Sequence, residues 1–121
     1  MQHVYKKLIV WQRSIELVVS VYELTAQFPK NEIYGLSSQI QRSAVSIPSN
    51  IAEGSRRKTK KDFAQFLHIA FGSGAELETQ IEIVKKLHFG HNLDYSKTDA
   101  LLEEVMKMLN KFINSNLESR E

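Results

Sequence analysis

Apolar residues in this 121-residue chain recur at three- and four-residue steps through four successive segments, with little to interrupt them. That spacing puts side chains on one face of a helix, whereas a half-buried strand needs strict alternation, which persists nowhere here. The strong breakers are two prolines and five glycines. Trp11, Ile15, Val18, Tyr22 and Thr25 mark a first helix over about residues 8–27. Phe28-Pro29 ends it, because a residue before proline is pushed out of the α region. Leu36, Ile40, Ala44, Ile47 and Ile51 mark a second helix over about 36–53, with Gly54 as its stop. Pro48 has no N–H to donate to the Ala44 carbonyl and should bend it. Thr59-Lys-Lys-Asp62 has the form of a capping box and opens a third helix over about 60–89. Phe63, Phe66, Leu67, Ala70, Gly74, Leu77, Ile81 and Val84 form its inner face, and Gly90 closes it. Ser96-Lys-Thr-Asp99 repeats the cap before a fourth helix over about 97–117, which carries Leu101, Val105, Met108, Leu109 and Phe112.

Short connections between four such helices predict an all-α fold, an antiparallel up-down-up-down four-helix bundle. The length fits one domain over residues 1–121, large enough to bury one core. No linker or internal repeat divides it, and the polar tail after Leu117 should fray. No apolar run approaches the ~20 residues of a membrane span and no leader pattern opens the chain, so the expectation is a cytoplasmic protein without membrane contact. With no cysteine, disulfides and thiolate metal sites are excluded.

Apolar surface exceeds what one bundle needs. Helix one carries a further stripe, Val10, Leu17, Val21, Leu24 and Phe28, spaced like a heptad. Helix three places Ile69, Ile83 and Leu87 off its inner face, and helix two places Val45 nearly opposite Ile40 and Ile47. Helices apolar on several sides tend to be buried, so these stripes predict a homo-oligomer joined through helices one and three. Beside its apolar stripe, helix two also carries Gln39, Ser43, Ser46, Asn50 and Glu53, and helix three answers with Ser73, Glu76 and Gln80. Ser46, Asn50, Glu53, Ser73 and Glu76 form either a structural polar seam between the two helices or a solvated face. Small Ser43, Ala44, Ser46, Gly72, Ser73 and Gly74 allow the close approach a seam needs.

Motifs for chemistry are missing. No Glu has a His three residues on, as inward carboxylate-bridged metal centres of bundles require. His88-Phe-Gly-His91 straddles a helix end, and His68 sits alone. There is no Cys nucleophile, G-x-S-x-G elbow or glycine-rich phosphate loop. The expectation is a protein that is not an enzyme and uses no metal or cofactor.

Charge is the exception. Residues 1–61 hold 10 Lys and Arg against 4 Asp and Glu, residues 62–121 hold 6 against 10, and the whole is only +2. Arg56, Arg57, Lys58, Lys60 and Lys61 fall within six consecutive residues at the turn between helices two and three. Arg42 either extends this patch or pairs with Glu76. Clustered cations without local acids are what phosphate-backbone binding requires. No aromatic RNA-recognition signature accompanies them, so base readout is not expected. Two functions compete: an oligomeric nucleic-acid-binding module, with RNA the favoured partner, and a protein–protein adaptor whose basic turn is merely solvated.

Trp11, Phe28-Pro29, Glu32, Tyr34-Gly35-Leu36, Gln39-Ile40, Arg42, Ser46-Ile47, Asn50-Ile51-Ala52-Glu53-Gly54, Phe63, Phe66-Leu67, Ala70, Ser73 and Glu76-Leu77-Glu78 together resemble the four-helix-bundle family called 23S rRNA-intervening sequence proteins. The run Ser46–Gly54 is the most specific part, and the likeness covers nearly the whole chain. The resemblance implies a compact antiparallel bundle assembled as a homopentamer. It also implies a fold similar to the basic, nucleic-acid-binding accessory proteins of diversity-generating retroelements. It supplies no catalytic residues, and it leaves Asn50, Glu53, Ser73 and Glu76 with a structural role.

Overall fold

The computed structural model describes residues 4–118. Four long helices account for most of them: α1 (Ile9–Thr25), α2 (Ser38–Ser55), α3 (Lys60–Lys86) and α4 (Ser96–Glu118). No strand occurs among the described residues. A 3₁₀ turn, Val4–Lys7, leads into α1, and Lys30–Glu32 with the wide turn Ile33–Ser37 lead into α2. The tail that the sequence marks as frayed lies largely outside the described residues.

Each helix packs on the next, and α4 returns to α1, while α1 and α3 lie diagonally across the bundle. Residues 56–59 are too short a bridge between α2 and α3 for anything but an antiparallel return. The core combines Leu17, Val21 and Leu24 with Ile40, Ile47 and Ile51, then Leu67, Leu77, Ile81 and Val84, and finally Leu102, Val105 and Leu109. At about 1.5–3 kcal/mol for each large aliphatic side chain removed from water, this core is the main source of stability.

This corrects the expected roles of the two stripes of α1. Val10, Leu17, Val21, Leu24 and Phe28, read from sequence as an oligomer interface, are the intramolecular core, all 7% exposed or less. Of the face expected to line the bundle, Ile15 and Tyr22 point outward, as does Val19, whereas Trp11 and Val18 pack against the core and Thr25 is buried. The reason is polar company. The inward stripe is flanked by Ser14, Ser20 and Thr25, whose short hydroxyls are satisfied inside: Ser14 donates to the Trp11 carbonyl at 2.7 Å, and Ser20 meets Thr98 at 2.7 Å. The outward stripe is interleaved with Gln12, Glu16 and Glu23, which cannot be buried unpaired.

Two glycines act through close approach. α2 does not stop at Gly54 but runs on to Ser55. A Cβ on Gly54 would lie 2.6 Å from Phe66 Cβ and 2.9 Å from Phe63 Cδ1, so this glycine lets the end of α2 settle on α3. Gly74 similarly makes room for the Met106 thioether of α4. Phe63 then crosses to Phe112 edge to face, with centroids 5.2 Å apart.

Capping follows the sequence at one end and departs from it at another. Thr59 Oγ1 accepts from the Asp62 N–H at 3.1 Å, as its motif predicts. Before α4 the acceptor is Asp94 rather than Ser96: its Oδ1 takes both the Ser96 N–H at 3.0 Å and the Ser96 hydroxyl at 2.7 Å. Helix three also ends earlier than Gly90, with Leu87 already extended. The buried Tyr95 hydroxyl, donating to the Gly90 carbonyl at 2.6 Å, holds the turn that follows.

Candidate nucleic-acid interface

The basic turn joins the C-terminus of α2 to the N-terminus of α3. Cations are favourable beside the first, and free N–H groups at the second favour anions. Arg56, Arg57, Lys58, Lys60 and Lys61 are all exposed. They are not equivalent. Arg57 donates from Nη2 to Glu53 Oε2 at 2.7 Å, and its guanidinium carbon lies 4.6 Å from the centroid of the Phe66 ring. Arg56 lies over Tyr5, 5.6 Å from the ring centroid. Lys58, Lys60 and Lys61 form no ion pair among the described residues. The unneutralised part of the patch is therefore this lysine triplet, while the arginines form its ordered flank.

Arg42 does not belong to the patch. Fourteen residues earlier on α2 puts it about 20 Å from Arg56 along the helix axis, at ~1.5 Å per residue. It lines a groove of about 340 Å³ between α2 and α3, together with Gln39, Ser43, Ser73, Glu76 and Gln80. Glu76 pairs with a hydroxyl there rather than with Arg42, accepting from Ser43 Oγ at 3.1 Å.

This groove sits over the polar seam. Ser46 Oγ and Ser73 Oγ meet at 2.8 Å across the two helices, and Asn50 Nδ2 donates to the Ser46 carbonyl at 2.8 Å and to Ser46 Oγ at 2.9 Å. Asn50 thus braces its own helix at the point where Pro48 leaves the Ala44 carbonyl without its usual N–H. Glu53 is the member that does not join. It lies one turn further on and reaches Arg57 instead of Ser73 or Glu76.

Of the residues read as an oligomer interface, Ile69, Ile83 and Leu87 are exposed, at 51%, 47% and 36%. Ile15, Val19 and Tyr22 are likewise exposed apolar residues, on the diagonally opposed α1. His88 and His91 stack with ring centroids 5.6 Å apart, and no group of three or more metal-ligating side chains occurs among the described residues. No described helix is long and apolar enough to cross a membrane.

Sequence reasoning missed Tyr5. The 3₁₀ turn Val4–Lys7 packs on α2 and brings this ring beneath Arg56, some fifty positions away in the chain. Tyr5 rests edge-on against Trp11, with centroids 5.3 Å apart. With Ala52, Glu53, Arg56 and Arg57 it lines a cavity of about 470 Å³. No spacing rule links an N-terminal tyrosine to a distant turn; only the bundle topology does.

Fold and site together define a single all-helical bundle module with a basic interhelical turn and a hydroxyl-rich α2–α3 contact. The chain belongs to the 23S rRNA-intervening sequence protein family, whose pattern matches residues 6–111. It is similar in fold to a crystal structure of a protein of unknown function from the S23 ribosomal protein family of Bacteroides thetaiotaomicron VPI-5482. That match has a TM-score of 0.74 at 24% identity, covering 88% of this chain and 96% of that one. A search of curated proteins finds no match.

Proposed function

We propose that this chain is a non-catalytic, self-assembling bundle that binds RNA through the turn between α2 and α3. The observation that carries the reading is the exposed triplet Lys58, Lys60 and Lys61, which has no carboxylate partner among the described residues and is continued by Arg56. Such a patch suits phosphates, and the neighbouring N-terminus of α3 favours the same charge. Assembly is supported by the outward apolar faces of α1 and α3. Because these helices are diagonal, the face of one copy meets the other face of the next, a heterologous contact that closes into a ring when its rotation repeats. The family resemblance implies five copies. A ring repeats the lysine triplet and converts weak contacts into avidity along an extended RNA.

The test is fluorescence anisotropy with a single-stranded RNA over a salt series. Affinity should fall steeply with salt, and exchanging Lys58, Lys60 and Lys61 for Gln should flatten the slope by about two, at ~0.7 per contact for single strands. Sedimentation should show the same oligomer for both proteins. An unmodified protein that ignores RNA and DNA at low salt would sink the reading and leave the adaptor function, which the apolar faces also suit.

A further inference from the structure

Phosphate contacts explain affinity but read no sequence. The cavity beside the basic turn holds the complementary chemistry. Its about 470 Å³ lies in the roughly 300–1,000 Å³ range of small-ligand sites. Three kinds of group converge there: an aromatic ring, two guanidinium planes and one carboxylate.

We infer that this cavity, lined by Tyr5, Glu53, Arg56 and Arg57, is a pocket for an unpaired guanine, whether in RNA or in a free guanine nucleotide. The inference rests on the nucleic-acid reading above and gives it a base preference.

The aromatic component is Tyr5, whose ring is set by its edge contact with Trp11 and accompanied by Arg56 at 5.6 Å. Splayed bases stack on aromatic rings and on arginine planes, so a Tyr–Arg pair is a platform for any base. Choice among bases then falls to Glu53. Its Oε2 is engaged by Arg57 at 2.7 Å, and Arg57 is itself steadied over Phe66. That arrangement fixes the carboxylate without exhausting it, since an ionised carboxylate offers about four lone-pair sites and Arg57 Nη2 takes one.

A carboxylate accepts and cannot donate, so it suits a base edge with two adjacent donors. Guanine alone offers that, through N1–H and the N2 amino group. Adenine puts the N1 lone pair beside its amino group, cytosine does the same with N3, and uracil flanks its one N–H with two carbonyls. Each of these sets an acceptor against Glu53, and leaving polar groups so opposed costs about as much as losing the hydrogen bonds. The nearby cations suit the attached phosphate, so charge and edge recognition are served by different residues in one cavity. Glu53 thereby acquires a use that the α2–α3 seam does not give it.

The experiment compares short oligouridine RNAs carrying one central guanine, adenine, cytosine or inosine, by anisotropy at low salt with the full-length protein. The guanine RNA should bind about tenfold more tightly than the adenine RNA, as a bidentate base contact would require. Inosine, which lacks the N2 amino group, should fall between them. Glu53→Gln should reverse the order, because a carboxamide donates to adenine N1 and accepts from its amino group. A merely structural Glu53 would lower all affinities together. Guanosine monophosphate in competition separates the sources: displacement assigns the pocket to free nucleotide as well, and no displacement confines it to guanine within RNA. Equal binding of all the RNAs by the unmodified protein overturns the inference while leaving the RNA-binding reading intact. No binding to any of them overturns both.

Discussion

Leu17 and Val19 are two residues apart on α1, and the fold gives them opposite fates. Leu17 is fully buried, whereas Val19 is 52% exposed. Truncating Leu17 to Ala removes an isopropyl group from the centre of the bundle. Its transfer term is about 2.4 kcal/mol at ~0.8 per methylene. The cavity left behind adds to this, and the expected total lies within the ~2–5 kcal/mol typical of Leu→Ala in cores. With a urea slope of ~1–3 kcal/mol per molar, a loss of about 3 kcal/mol lowers the unfolding midpoint by about 1–3 M. Val19→Ala should stay within ~0.5 kcal/mol in dilute solution, as exposed positions do. Any larger Val19 effect should grow with protein concentration, because an assembly stabilises its subunits by mass action. Urea unfolding followed by far-UV circular dichroism at two protein concentrations is the assay. If Val19→Ala is the more damaging change and its effect is independent of concentration, the two stripes of α1 have been assigned to the wrong sides.

Gly54→Ala should destabilise the protein in the same assay. The ~1 kcal/mol gained in helix propensity is outweighed by ~1–3 kcal/mol of overpacking against Phe63 and Phe66, and a raised midpoint would mean that α2 and α3 separate freely. Ser20→Ala should cost about 1–3 kcal/mol by stranding the buried Thr98 hydroxyl, and adding Thr98→Val should recover part of the loss; a double variant worse than the single would refute that pairing. Asp94 is held below the usual carboxylate range, first by the Ser96 backbone N–H and then by the Ser96 hydroxyl. A depressed folded value stabilises above the unfolded value of 3.8 and is lost as pH falls through the folded one. Thermal midpoints of Asp94→Ala should therefore lie below those of the unmodified protein at neutral pH and converge with them below about pH 3.8, and a gap that persists in acid would point to a cause other than the carboxylate.

The fold was legible because helix number, order and type depend on local periodicity and on breakers, both of which the chain displays openly. The bundle follows from them, while the family pattern rests on particular residues, above all the run Ser46–Gly54. Gly54 reads as a stop by composition, but it lies against two phenylalanines of the next helix, and that apposition belongs to the tertiary structure. The inversion of α1 has the same origin. Two apolar stripes on one helix are nearly equal by hydrophobicity, and what separates them is whether their neighbours can satisfy their hydrogen bonds inside. Ser20 does so only because Thr98 arrives from α4.

The basic turn shows the boundary more sharply. A run of cations is visible in any sequence, yet the sequence does not show which members are neutralised. Glu53 lies four residues before Arg57, a spacing that permits an ion pair, while the alternative donor, the Ser73 hydroxyl, sits on another helix and is taken by Ser46. The structure gives Glu53 to Arg57. That choice takes it out of the seam, subtracts Arg57 from the unpaired charge of the turn, and leaves the carboxylate among the residues that line an open depression beside Tyr5. Charge patterning alone therefore exaggerates the number of unpaired cations and conceals Tyr5, because both depend on which side chains the bundle brings together.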